Sequence, residues 1–403
     1  MCDYCSWISQ VLDKIDAKAQ VRKKRRLAPW VDPVIIIHGG AGNIPRYAQK
    51  FMLDEVKEAA ITSYCELIKG CSSVDAVERA ICHMESKKYF NCAYGGSLDA
   101  NGEVVMDAAI MTGDFRAGCV GAVRNMAHPI TLAKKVLQQT EHVLVVESGA
   151  QKLALESNIP ILSSEKLIVT SDSKTSLHEE EDSEAQVVKK IQEPVQTENG
   201  QCDTRMCIPG CVIDKNEQVK SAIPETAFIR LNESLEIESD FLQIGAVGAV
   251  AYDRKQRLAS GTSTAGESGK LHGRVSATGT TIGCGIYVGQ GCCISVSGCD
   301  EAIHKYAPAW RISRRLRKKC TLMNDEAVAA VLKDFEEETG RSDVGAIVLT
   351  TKGVPFVSFR CTHFPWAYCQ KGYVYYGCAR NEKFSEKIDI LERPLDCMCE
   401  DSN

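Results

Sequence analysis

No apolar run in this chain approaches the length of about 18 residues that marks a membrane-crossing helix, so no transmembrane segment is expected. The opening MCDYCSWISQVLDKIDAKAQ lacks the basic-then-apolar order of a secretory signal. The G-x-G-x-x-G spacing is missing as well: HGGAG at His38–Gly42 has the glycines but not the interval, which argues against dinucleotide binding. Zinc-finger spacing is absent. Cys2 and Cys5 form C-x2-C without a matched second half, and Cys202, Cys207 and Cys211 cluster in a polar segment without one. The chain nevertheless holds 20 cysteines. Without a secretory signal these read as scattered reduced thiols in the cytosol, with the nucleus as a second compartment. Neither a metal nor a cofactor is expected.

What is present is ordinary globular material. The 403 residues suffice for one large domain or two smaller ones with a sizeable core, and 44% are hydrophobic against 25% charged. The net charge of −5 is spread unevenly. KKRR at Lys23–Arg26 ends a basic segment, and HEEEDSE at His178–Glu184 opens an acidic one. A basic run can be a nuclear address or a nucleic-acid contact, but the simpler reading is a solvated helix end, so nucleic acid is not the expected partner.

The chain divides into four stretches. Residues 1–30 read as a helical extension with a basic end, since Trp7, Val11, Leu12, Ile15 and Ala19 fall at helical spacing. Residues 31–170 begin with VIIIHGGAG, a buried strand running into a glycine turn. Helices are predicted over 51–69 and from Ser72, where Ser72 and Asp75 make a capping-box pattern and Val74, Val77, Ile81 and Met84 share one face. Asn101-Gly102 between alternating residues predicts a hairpin. GCVGAV and HVLVVES read as strands, and helices are predicted from Pro129 to about Leu137 and over Ala150–Ser157. Residues 171–240 are polar, acidic and aperiodic, and read as a flexible linker. Residues 241–403 resume with AVGAVAYD, LASGTST, IGCGIYV and CCISVSG as strands, then helices from about Asp300 and over 325–337, and the late strands VGAIVLTT and PFVSFRC. This order predicts a layered α/β fold with antiparallel hairpins.

Seven motifs, in order, resemble the isoaspartyl peptidase/plant-type L-asparaginase family of N-terminal nucleophile hydrolases. They are HGGAG, Phe90-Asn91 before a glycine-rich turn, NGEVVMDAAIM, AVGAVAYD, TSTAG, GRV at Gly273–Val275 and FPWA at Phe364–Ala367. The resemblance covers roughly 34–168 and 242–380. The threonine aspartase branch is a more distant relative that also carries a long polar loop between its halves. The resemblance implies a four-layer αββα sandwich, a precursor that cuts itself before a threonine, and hydrolysis by that threonine's hydroxyl and new α-amine. A homodimer and a small aspartyl or asparaginyl ligand are the expected partners.

On that resemblance the nucleophile position holds Ala246, after Gly245. Thr264 matches a second, supporting threonine, and Asn91 an oxyanion donor, although FNCAYGGS has Ala93 where a glycine is usual. Arg274 matches the arginine that grips a substrate carboxylate. Ser297 and Gly298 match a threonine-glycine pair at the substrate. Two positions depart further. Ala277 stands where an aspartate usually meets the substrate amino group, and Asp300 stands where glycine is usual. A carboxylate at 300 would either oppose an oxyanion or face solvent. The expectation is therefore a catalytically impaired family member. An active amidohydrolase and a nucleic-acid or protein adaptor, using KKRR and RRLRKK at Arg314–Lys319, are the alternatives.

Overall fold

Val34–His38 form β1, whose five residues are all buried. It lies in mid-sheet, antiparallel to β5 (Val247–Tyr252) on one side and to β11 (His363–Gln370) on the other. A strand buried on both faces needs a continuous apolar run, and VIII supplies it. The computed structural model describes residues 31–169, 244–317 and 324–388. The predicted N-terminal helix, KKRR and the 171–240 segment fall outside the described residues.

The main sheet has nine strands. From one edge these are β13 (Phe384–Lys387), β12 (Tyr373–Ala379), β11, β1, β5, β6 (Leu258–Thr264), β2 (Met106–Thr112), β3 (Ala117–Val123) and β4 (Leu144–Val146). Every pairing is antiparallel except β3 with β4. The second sheet has four antiparallel strands in the order β10 (Pro355–Phe359), β9 (Val344–Thr350), β8 (Cys292–Gly298) and β7 (Ile286–Val288).

Three cores give the layers. On one face of the main sheet, α1 (Arg46–Ile68), α2 (Ser73–Glu85) and α3 (Pro129–Gln139) bury Met52, Val56, Leu67, Val77, Ile81 and Leu132 against Ile35, Ile37 and Ile110. Between the sheets, Ile36, Val250, Leu258 and Met111 meet Cys293, Ile347 and Leu349. Outside the small sheet, α6 (Asp300–Tyr306), α7 (Pro308–Arg317) and α8 (Asn324–Thr339) bury Ile303, Ile312, Leu332 and Phe335 against Ile294 and Val348. The order is helix, sheet, sheet, helix, as the resemblance implied. The remaining helices are α4 (Glu147–Glu156) and the single turn α5 (Ala277–Thr280).

The predicted cap is present: the Ser72 hydroxyl accepts the Asp75 N–H at 3.2 Å and donates to the Asp75 carboxylate at 2.6 Å. Three local readings change. The first long helix starts at Arg46 rather than 51, because Pro45 fixes the entry and Ala48 and Ala59 bury as small members of the apolar face. Asn101-Gly102 does turn, but only the single bridge Leu98–Val104 closes it. The sheet hairpin of β2 and β3 instead reverses at residues 113–116. HVLVVES yields just three strand residues, because the chain enters α4 at Glu147 and that strand lies at the sheet edge.

Candidate active site

Gly245 and Ala246 lie at the entrance to β5. The Gly245 N–H donates to the Ala41 carbonyl at 2.9 Å. A Cβ on residue 245 would stand 2.5 Å from both the Gly298 nitrogen and the Ser297 hydroxyl oxygen, so only glycine fits. Ala246 is 2% exposed. The β5–β6 register pairs Val247 with Ser263, and one further step sets Ala246 across from Thr264. On its other side Thr264 pairs with Asp107 of β2. Residues 246, 264 and 107 therefore share one sheet face. By strand alternation this is the face of Val250, Leu258 and Ala109, which looks toward the second sheet.

The other expected residues converge here. The Thr264 hydroxyl oxygen accepts the Gly266 N–H at 2.9 Å. Asn91 donates both amide hydrogens to backbone carbonyls, to Ile244 at 2.9 Å and Gly266 at 2.6 Å, and its oxygen accepts the Ser97 N–H at 3.0 Å. Asn91 thus pins the segment before Ala246 to the turn after Thr264. In this chain its amide has no hydrogen left for an oxyanion. Two residues on, Ala93 sits at φ +40°, in the region that favours glycine. The glycine-type turn is therefore kept despite the alanine. Ser297 accepts the Ala41 N–H at 3.0 Å, which ties the turn after β1 to the end of β8.

Arg274 and Asp300 form the charged side of the site. One guanidinium nitrogen, Nη2, lies 3.0 Å from the Asp300 carboxylate and also pairs with Glu301. Asp300 is buried. It accepts the N–H groups of Ala277 at 2.9 Å and Thr278 at 2.8 Å, together with the hydroxyls of Ser276 and Thr278. Burial alone would raise its pKa, but these donors and Arg274 hold it below the ordinary carboxylate value. Asp300 therefore neither faces solvent nor stands free as a repulsive anion. It caps α5 and neutralises Arg274. Next to it, burial and the Glu301 carboxylate push Glu267 up to about 7.

Sequence reasoning passed over three buried polar groups nearby. Asp107 accepts the N–H groups of Ala122 and Ser276, each at 2.8 Å, and lies 3.9 Å from Lys270. Burial raises Asp107 to about 6 and lowers Lys270, so both are driven toward their neutral forms. The Lys270 ammonium donates to the Val105 carbonyl at 2.8 Å. His38 bonds Ser295 at 2.8 Å and stacks on Phe364, and burial lowers its pKa to about 3. A charged residue inside the apolar strand MDAAIMT was the available signal for Asp107.

The asparaginase family model matches residues 31–376. The chain belongs to the asparaginase family. Family membership carries the N-terminal nucleophile hydrolase fold, and the four layers agree with it. The isoaspartyl peptidase/L-asparaginase of Danio rerio is 30% identical over 360 residues, covering 89% of this chain and 98% of the relative. The probable isoaspartyl peptidase/L-asparaginase of Drosophila melanogaster is 32% identical over 362 residues, 86% and 95% of the two chains. The isoaspartyl peptidase/L-asparaginase of Bos taurus is 32% identical over 351 residues, 86% and 96%. Among the described residues, no helix is long and apolar enough to cross a membrane.

Proposed function

We propose that this asparaginase-family chain is a catalytically impaired member that stays uncut and retains a site of aspartyl or asparaginyl character. The observation that carries this is Ala246: a buried methyl group stands where the resemblance puts the nucleophilic hydroxyl. A methyl group can neither attack a carbonyl nor carry the acyl shift that would cut the chain before residue 246. Thr264 is no replacement, because its nitrogen lies within a peptide bond and offers no free amine as base. The buried thiols do not substitute either. Burial pushes Cys92 and Cys293 well above the ordinary thiol range and Cys284 up to about 11, leaving each protonated and weakly nucleophilic near neutral pH. Arg274, already paired with Asp300 and Glu301, supports the reading from the binding side.

An active hydrolase is the second reading, favoured by the retained Thr264, Asn91 and Arg274. The deciding experiment measures ammonia release from asparagine and an isoaspartyl dipeptide. The expected result is no release above background, with the chain intact at 44.2 kDa on a denaturing gel. Sustained turnover, or two bands from a cut before Ala246, would overturn the proposal. As partners we propose a second copy of the chain and a small aspartyl or asparaginyl ligand, with no membrane contact. A cytosolic location fits the free thiols of the described cysteines.

A further inference from the structure

Away from the candidate active site, the last turn of α2 meets the start of α3. Cys82 and Glu85 sit three apart on α2 and so share a helix face. His128 is the residue just before α3. One Glu85 oxygen accepts the Ile130 N–H at 3.2 Å, and the other lies 3.2 Å from His128 Nδ1. The Cys82 sulfur is 3.5 Å from the Thr131 hydroxyl. A sulfur, a carboxylate oxygen and an imidazole nitrogen thus come within 4.8 Å of one another. Zinc bonds of about 2.0–2.3 Å set tetrahedral ligands somewhat closer than that, a gap that side-chain rotation can close. The Glu85 side chain is fully buried while that of His128 is 36% exposed, so the group is anchored inside and reachable from solvent.

We propose that Cys82, Glu85 and His128 form a binding site for a zinc-class divalent cation that staples α2 to α3. The donor set is thiolate, imidazole and carboxylate, which suits zinc or cobalt rather than magnesium or calcium. On binding, the Cys82 thiol loses its proton to solvent and the sulfur bonds the metal; His128 Nδ1 gives up to solvent the hydrogen it directs at Glu85 and bonds the metal through its freed lone pair, and the fourth position falls to water or the Thr131 hydroxyl. The Glu267, Cys299 and Glu301 group is the weaker candidate, because Glu301 is already paired with Arg274.

The test uses the full chain, reduced and stripped with a chelator, titrated with Co2+ and read by thiolate-to-metal absorption, then by Zn2+ displacement. Wild type is expected to give a thiolate band with one ion per chain. Cys82→Ser and His128→Gln should each weaken binding at least about tenfold, while Cys299→Ser leaves it unchanged. Far-UV circular dichroism confirms that each variant is folded, and the half-exposed position of His128 makes His128→Gln the variant least dependent on core packing. A band that survives both His128→Gln and Cys82→Ser, a band lost in Cys299→Ser, or no thiolate band in wild type would each overturn the site.

Discussion

Asp300 reaches from the first turn of α6 to lie 3.0 Å from the Arg274 guanidinium, and it holds the backbone N–H of Ala277 at 2.9 Å. A carboxylate from α6 thus stands against the backbone of Ala277 and pairs with Arg274. The two departures seen in the sequence, at 277 and 300, are one structural feature.

That pairing predicts the behaviour of Asp300→Gly. Removing a buried carboxylate that accepts several hydrogen bonds should lower stability by about 2–4 kcal/mol, measured by urea unfolding. The same change leaves Arg274 with Glu301 as its remaining carboxylate partner, on an exposed side chain, so L-aspartate should bind more tightly than to wild type in calorimetry. Unchanged affinity in a folded variant would show that the internal pair does not mask the arginine.

Ala246→Thr should restore self-cleavage slowly, giving two gel bands, with little asparagine hydrolysis. Gly245 and the Asn91 clamp are in place, but the charged side of the site is not. Adding Ala277→Asp alone should not help, because the new carboxylate would be placed beside Asp300. Ammonia release should rise only when Ala277→Asp is combined with Asp300→Gly. Full turnover from Ala246→Thr by itself would show that nothing but the nucleophile is missing.

Gly245→Ala tests the packing of the segment that enters β5. Its Cβ would stand 2.5 Å from the Gly298 nitrogen and the Ser297 oxygen, so β5 and β8 must part. The expected loss is about 1–3 kcal/mol, read as a lower urea midpoint with an unchanged slope. Wild-type stability in this variant would mean that the contact relaxes freely.

The acid limb of stability should carry the signature of His38. Its folded pKa is lowered to about 3 against an ordinary 6.5, so the unfolded chain binds the extra proton first. Stability is then fully present above pH 6.5 and falls as the pH drops toward 3. Asp107, raised to about 6, has the opposite sign: below that pH the folded state gains the proton first, which offsets part of the loss. His38→Gln, which cannot titrate, should flatten the fall in melting temperature between pH 6.5 and 4. An unaltered profile in that variant would remove His38 as the cause.

By itself the sequence determined the elements whose cause is local. The run VIII makes a strand buried on both faces, Ser72 and Asp75 cap α2, and apolar spacing marks α2 and α3. The motif order carried the family and the four layers, and it named Ala246, Thr264, Asn91, Arg274, Ser297 and Gly298 as one group. The helix over 51–69 and the strand over 142–148 had the right type but shifted ends, because ends depend on Pro45 and on the sheet edge rather than on periodicity. Tertiary structure alone decided what each site residue touches. Asn91 reaches Ile244 across 153 residues, and the Asp300 contacts to Ser276, Ala277 and Thr278 span 22 to 24. No pattern along the chain encodes such pairs, since helix and strand periods relate only near neighbours. The sequence could place a carboxylate at 300. It took the packing of α5 against α6 to show that the carboxylate is buried, satisfied and turned onto Arg274.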